Sequence, residues 1–159
     1  NSGKLVTLVR QNAKVISEKE GASLIIIDGP PGIGCPVMAS VTGADAGLII
    51  TEPTLSGIHD LKRVLQLLQH FNVKPLVCVN MYDINMSNTE RILRFCSENN
   101  VEVVGKIPFS PVVTEAMVNG ATVIEYSRQS PVSNEIENVW KKIATLIHDN
   151  IHDSRIVKT

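Results

Sequence analysis

Residues 24–32 read Leu24-Ile25-Ile26-Ile27-Asp28-Gly29-Pro30-Pro31-Gly32. An uninterrupted apolar run of strand length, closed by one carboxylate, suits a strand buried on both faces, as in a parallel sheet. Glycine and proline then disfavour regular structure through Gly34. Asp28 would thereby be delivered to a sheet edge. Gly32 can turn its backbone amide toward a phosphate with no side chain in the way, while Pro30-Pro31 restricts the loop. An Asp at a strand end is common by itself; Asp-x-x-Pro-Gly is the more specific signal.

Outward from this stretch, strands and helices alternate. Leu5, Val9, Ala13 and Ile16, with Leu8 beside them, recur at helical spacing over 5–19, with Ser2 to cap the helix and Gly21 to stop it. Cys35–Val41 reads as a short helix and Gly47–Thr51 as a second strand. Residues 56–71 form the clearest helix, with Ile58, Leu61, Leu65, Leu68 and Phe71 on one stripe. Pro75 opens a third strand, Leu76–Val79, ending in Asn80. Ser87-x-x-Glu90 reads as a capping box before a helix carrying Ile92, Leu93 and Cys96, and Val101–Ile107 is a fourth strand. Ser110-Pro111 reads as an N-cap with proline at the first helical position, opening a short helix that ends near Gly120. Residues 133–151 make a last amphipathic helix with Ile136, Trp140, Ile143, Ile147 and Ile151, and a frayed tail beyond. This alternation predicts an α/β fold, a mostly parallel sheet with helices on both faces. Ligands of such sheets bind beyond the carboxyl ends of the strands, and here the strongest strands end in Asp28, Glu52-Pro53 and Asn80.

The 159 residues are 43% hydrophobic and 19% charged, a globular composition of one domain or part of one. Fifteen basic against sixteen acidic residues leave a net charge of −1, so no basic excess drives binding to nucleic acid or an anionic membrane. Aromatics at 4% disfavour a base-stacking surface, and no apolar run approaches the ~18 residues of a membrane span. The three cysteines, Cys35, Cys78 and Cys96, form no Cys-x-x-Cys pair. That pattern argues against a disulfide framework or a self-contained zinc site and for reduced thiols in the cytoplasm. The first residue is Asn1, and no signal-peptide pattern follows, so the chain is expected to begin inside a longer protein.

The motifs resemble a known family. Leu24–Asp28 has the form of a Walker B strand, and Ile26-Ile27-Asp28-Gly29-Pro30-Pro31-Gly32 looks like the switch II segment of the MinD/ParA/Mrp-type, deviant-Walker-A P-loop ATPases of the SIMIBI class. Cys35-Pro36, Thr51-Glu52-Pro53-Thr54-x-Ser56-Gly57-x-His59-Asp60 and Val79-Asn80-x-Tyr82-Asp83 fit the same family, in family order, over about residues 2–126. The resemblance is to the MinD-like branch that often carries an inserted ferredoxin-type segment. It implies that Asp28 supports Mg²⁺, through water, and positions the attacking water, and that Gly32 senses the γ-phosphate. It makes Asn80 the adenine-recognising residue, whose amide offers donors and an acceptor to a base edge. Asp83 is a second base-side candidate, and Pro108 and Phe109 occupy the loop that borders the base. Relatives often have Asn-Lys-x-Asp where this chain has Asn80-Met81-Tyr82-Asp83. The lysine that packs on the base is missing, and adenine is favoured over guanine. Further implications are ATP and Mg²⁺ as cofactors, an iron–sulfur cluster in a segment outside this sequence, a homodimer, and an iron–sulfur or metal-cofactor client protein.

The family's Lys-Gly-Gly-x-Gly-Lys-[Ser/Thr] phosphate loop does not occur in these 159 residues. Ser2-Gly3-Lys4 is not a substitute, because Leu5 follows and supplies no hydroxyl for Mg²⁺. Residues 1–152 are therefore expected to be the C-terminal part of one P-loop ATPase domain, incomplete at its N-terminal side, with 153–159 a flexible tail. The parent would be an ATP-hydrolysing switch, and this part alone would be inactive, with a hydrophobic strand edge left open. One rival reading is a non-catalytic docking module for an assembly partner, working through Cys35 and Thr54–Asp60. Another is an ATP-dependent ligase of the dethiobiotin-synthetase type, for which no substrate-pocket residues are seen. Plainer readings come first elsewhere. Cys35 reads as a buried small hydrophobe, His59 as a solvated first-turn residue, and Glu52 as a candidate for a dimer face. His148 and His152 read as surface residues, Trp140 as core, and Glu18-Lys19-Glu20 as a solvated helix end.

Overall fold

A computed structural model describes residues 2–156, with side-chain surroundings over 3–147. In chain order the elements are α1 (Ser2–Glu20), α2 (Cys35–Val41), β1 (Ala46–Thr51), α3 (Leu55–His70), β2 (Lys74–Asn80), a 3-10 turn (Tyr82–Ile84), α4 (Met86–Glu98), β3 (Glu102–Ile107), α5 (Pro111–Val118), α6 (Val123–Tyr126) and α7 (Pro131–Ile156). The expected α/β alternation is present. The chain divides into two units, Asn1–Gly47 with Lys62–Lys74, and Leu48–Leu61 with Pro75–Thr159.

In the first unit, α1 packs on α2. Gly3, Val6, Arg10, Ala13 and Ser17 are its half-buried positions, at spacings of three and four, while Leu5, Leu8, Val9 and Ile16 lie exposed. The helix was legible; the face it buries was not. The Arg10 guanidinium donates to the Ala39 and Thr42 carbonyls at 2.7 and 2.5 Å, satisfying orphan acceptors at the end of α2. Gly21 ends α1 in the left-handed region at φ 65°. The expected strand over Leu24–Ile27 does not form. Leu24, Ile25 and Ile26 are exposed, Ile26 by 76%, and the run has no ladder partner among the described residues. An apolar run favours a strand, but the ladder needs a second backbone to take its hydrogen bonds. Gly47 lies against the last part of α3, where an added Cβ would meet both Leu68 methyls at 2.8 Å.

In the second unit the sheet order is β1-β2-β3. Leu76, Val77, Cys78 and Val79 of the central strand are fully buried, as a continuous apolar run between neighbours requires. β2 and β3 are parallel, with Leu76 opposite Glu102, Asn80 opposite Ile107, and an irregularity between Val77 and Cys78. α4 makes the crossover between them and turns Thr89, Ile92 and Cys96 inward. Its start differs from the Ser87-Glu90 capping box expected. Asn85 is the N-cap, its side-chain oxygen accepting the Asn88 amide at 3.0 Å. The chain leaves the preceding 3-10 turn at Asn85, so the orphan amides begin two residues before Ser87.

β3 is covered on both faces. An added Cβ at Gly105 would collide with a Val139 methyl of α7, and Val104, pointing the other way, is buried. That packing corrects the face assigned to α7. Val132, Val139 and Ile143 turn inward, and Trp140, one step around the helix from Val139, is 47% exposed. Lys142 donates to the Val103 carbonyl at 2.8 Å and pairs with Glu102 at 2.6 Å, covering part of the outer edge of β3. Ser110 precedes α5 as expected but makes no side-chain cap bond. Thr122 and Glu125 form a capping box on α6, and the Thr122 backbone amide, then its hydroxyl, hold the Glu125 carboxyl below its usual range. α7 extends through Ile156. The expected tail is therefore helical over 153–156, and 157–159, like the side chains of His148 and His152, lie outside the described residues.

Candidate nucleotide site

The site residues fall in two segments, one in each unit. Asp28 and Gly32 belong to the loop between α1 and α2. Asp28 is exposed, in a stretch without regular structure, so it stands at no strand end here. Gly32 adopts φ 94°. Nothing lies within 4 Å of where its Cβ would be, so backbone conformation rather than space requires glycine. Cys35, at the start of α2, is exposed, which corrects its reading as a buried hydrophobe; helix α2 turns Val37 and Ser40 inward instead.

The second segment is built at the carboxyl ends of β1, β2 and β3. Register places Asn80 beside Ile107, the last residues of two parallel strands. Asn80 is half-buried. Met81 follows in the left-handed region, φ 49° and ψ 43°, an uncommon conformation for a side chain other than Gly or Asn. That reversal starts the 3-10 turn and swings Asp83 back toward β3. There Asp83 Oδ1 accepts the Phe109 backbone N–H at 2.7 Å. A second tie runs beside it: Lys106 Nζ lies 5.0 Å from the Tyr82 ring centroid, within cation–π range. Thr89 donates its hydroxyl to the Tyr82 carbonyl at 2.6 Å and fixes the turn from below. Pro108 is half-buried, and the Phe109 ring is 53% exposed.

The end of β1 is tied into the same cluster. Asn88 donates to the Pro53 carbonyl at 3.1 Å. Thr51 donates to the Gly57 carbonyl at 3.1 Å, and the Gly57 amide donates to Thr54 Oγ1 at 2.9 Å. A Cβ at Gly57 would collide with the Glu52 carbonyl, so this turn admits only glycine without rearrangement. His59 is solvated, as expected, with Asp60 Oδ1 3.4 Å from its Nδ1, and Glu52 is exposed.

Asn80, Asp83, Pro108 and Phe109 are thus brought together. Tyr82, Lys106, Asn88 and Thr89 were missed. Tyr82 lay inside the Asn80–Asp83 motif and was signal enough. Lys106 reaches it only through the strand register, which no local pattern displays.

The donor set bears on Mg²⁺. Among the described residues no group of three or more His, Cys, Asp or Glu side chains is placed to hold a metal. A lone exposed Asp28 fits a Mg²⁺ held chiefly by phosphate oxygens and water, the usual manner for that ion. The same residues do not fit an iron–sulfur cluster. Cys78 and Cys96 are buried, and burial pushes both thiols up to about 11, away from the thiolate a cluster needs, with Glu135 adding to the rise at Cys78. No helix among the described residues is long and apolar enough to cross a membrane.

Parallel strands joined through a helix, with polar turns gathered beyond their carboxyl ends, define an α/β domain. Within it, a profile described as the NUBPL iron-transfer P-loop NTPases of the ParA group matches residues 10–144, and the chain belongs to that family. It is 32% identical over 92% of its length to an uncharacterised protein of Methanocaldococcus jannaschii, of which it covers 47%. It is 30% identical over 75% of its length to the septum site-determining protein MinD of Thermotoga maritima, covering 46% of it. An iron-sulfur cluster carrier protein of Saccharolobus solfataricus is 24% identical over 79% of this chain and is covered over 47%. The chain spans about half the length of these relatives. Two solved structures share its fold. The cell division ATPase MinD of Pyrococcus furiosus superposes with a TM-score of 0.71 at 20% identity, over 92% of this chain and 59% of that one. MinD of Pyrococcus horikoshii in complex with Mg-ADP gives 0.70 at 19% identity, over 92% and 58%.

Proposed function

We propose that this chain supplies the switch segment and the base-binding side of an ATP-binding, ATP-hydrolysing switch protein of the MinD/Mrp type, one that serves iron–sulfur or metal-cofactor handling. Asn80 recognises the adenine edge, and Pro108 and Phe109 border the base. Asp28 supports Mg²⁺ through water and positions the attacking water, and Gly32 presents its amide to the γ-phosphate. Mg²⁺, when bound, neutralises charge on the β- and γ-phosphates. The parent acts as a dimer with nucleotide at its interface. The relatives support the class: one is named an iron-sulfur cluster carrier and another structure is a MinD holding Mg-ADP. The observation that supports the reading is the register of Asn80 with Ile107, which pairs the last residue of β2 with the residue just before the Pro108-Phe109 loop at the carboxyl end of the sheet.

The test is equilibrium binding of ATP and GTP to the complete open reading frame that contains these residues. ATP is expected to bind more tightly than GTP. Asn80→Ala, which leaves one base edge without its partner, is expected to weaken ATP binding roughly tenfold and erase the preference, a loss of the size of one hydrogen bond. Equal binding of the two nucleotides by the unmodified protein would refute the assignment.

A further inference from the structure

The chain holds only three Phe, two Tyr and one Trp. One Tyr and one Phe stand at the adjoining ends of β2 and β3; one tie joins the turn that carries the Tyr to the loop that carries the Phe, and a second joins that turn to β3. Asp83 would ordinarily be counted among groups that face a ligand. Its Oδ1 instead accepts the backbone N–H of Phe109 at 2.7 Å, 26 residues away in the chain. The left-handed turn at Met81 is what brings that carboxylate back. A conformation that costs free energy is retained where the surrounding structure over-determines it, and here its product is the Asp83–Phe109 contact. Lys106 of β3, over the Tyr82 ring, holds the same turn to the strand. The Phe109 ring itself is left 53% exposed. An exposed aromatic ring, on a loop held by its own backbone amide and two residues beyond the register partner of Asn80, is a candidate stacking face.

We propose that Asp83 is a positioning residue: by clasping the Phe109 amide it fixes the Phe109 ring as a face on which a purine base stacks while Asn80 reads the base edge. The proposal rests on the base-side reading of this site and changes the part Asp83 plays in it. The carboxylate holds the loop and does not touch the base. Stacking on an aromatic ring is worth more when the ring is already placed, because less ordering is left to do on binding. Guanine and adenine both present a stacking face, so the clasp governs affinity while Asn80 governs the choice of base.

Amide hydrogen exchange and adenosine or guanosine titration, both followed residue by residue by NMR on the complete open reading frame that contains these residues, test this. The Phe109 amide is expected to be protected in the unmodified chain and in Asp83→Asn, which keeps an acceptor oxygen, and to lose at least tenfold of that protection in Asp83→Ala. Adenosine is expected to shift the Asn80 and Phe109 amides, with affinity at least fivefold weaker in Asp83→Ala and within twofold of the original in Asp83→Asn. Phe109→Leu is expected to weaken adenosine equally while its amide stays protected. Adenosine binding unchanged in Asp83→Ala, with the amide released, would overturn the positioning role alone. An Asp83→Asn variant that binds as weakly as Asp83→Ala, or that turns to guanosine, would make Asp83 a base ligand and overturn it too. Absence of any adenosine response at Asn80 and Phe109 in the unmodified chain would overturn the base-side reading with it, and the exchange data would still report whether the clasp exists.

Discussion

Cys78 and Cys96 occupy the central strand and the crossover helix, both fully buried, whereas Cys35 stands in solvent. Burial pushes both of these thiols up to about 11, from the ordinary 9.0. At pH 8, iodoacetamide followed by mass spectrometry should therefore label Cys35 alone in the folded chain and all three in denaturant. Native labelling of Cys78 or Cys96 at the rate of Cys35 would contradict the packing. The same groups set a pH dependence. The folded chain keeps two protons that the unfolded chain releases above pH 9. Their stabilisation is complete below pH 9 and is lost as pH rises toward 11. Urea midpoints should fall between about pH 9 and 11, and the fall should shrink in a Cys78→Val, Cys96→Val variant. These residues show what single positions disclose: the sequence identified reduced thiols but could not say which were inside, because Cys35 stands at the start of a helix whose inward face is carried by Val37 and Ser40.

At the scale of elements, α4 separates two readings of one sequence. If Asn85 is the cap, Asn85→Ala should cost about 1 kcal/mol in chemical denaturation, and Ser87→Ala should stay near zero. The opposite ranking would restore the Ser87 box. Most helices and strands were legible, since β2 declares itself through four successive apolar residues and α3 through the buried stripe at Ile58, Leu61, Leu65 and Leu68, but the short helix α6 was not. Which face an element buries was less so. Trp140 and Val139 differ by one position, and the choice between them was made by Gly105, 34 residues upstream, whose missing side chain admits Val139. The segment at 24–27 shows the same limit from the other side: composition prescribed a strand, and pairing, which composition does not contain, decided against it. In the base-side cluster the local motif gave Asn80 and Asp83, while the Lys106–Tyr82 and Asp83–Phe109 ties depend on register and turn geometry. Their residues could be named in advance, and their contacts could not.

At the scale of the molecule, each unit leaves apolar side chains in water. Leu5, Leu8, Val9 and Ile16 of α1 and Leu24–Ile26 are exposed in one, and Leu48 and Ile50 on alternate positions of the edge strand β1 in the other. An open strand edge beside apolar residues is a template for pairing. Sedimentation of the 159-residue chain should show association that rises with concentration, or thermal unfolding should come early for a chain of this length. A monodisperse monomer with a high melting temperature would contradict this. Lys142, which occupies the Val103 carbonyl on β3, directs that association away from the β3 edge, so Leu48→Lys or Ile50→Lys should reduce it.

The claim that these residues form half of a nucleotide switch is tested most directly by Mg²⁺-dependent ATP hydrolysis in the complete open reading frame, unmodified and as Asp28→Ala, with ATP binding measured in parallel. Slow hydrolysis that drops at least about 100-fold in Asp28→Ala, with ATP affinity kept within twofold, is the predicted result. Hydrolysis unaffected by the substitution would contradict it.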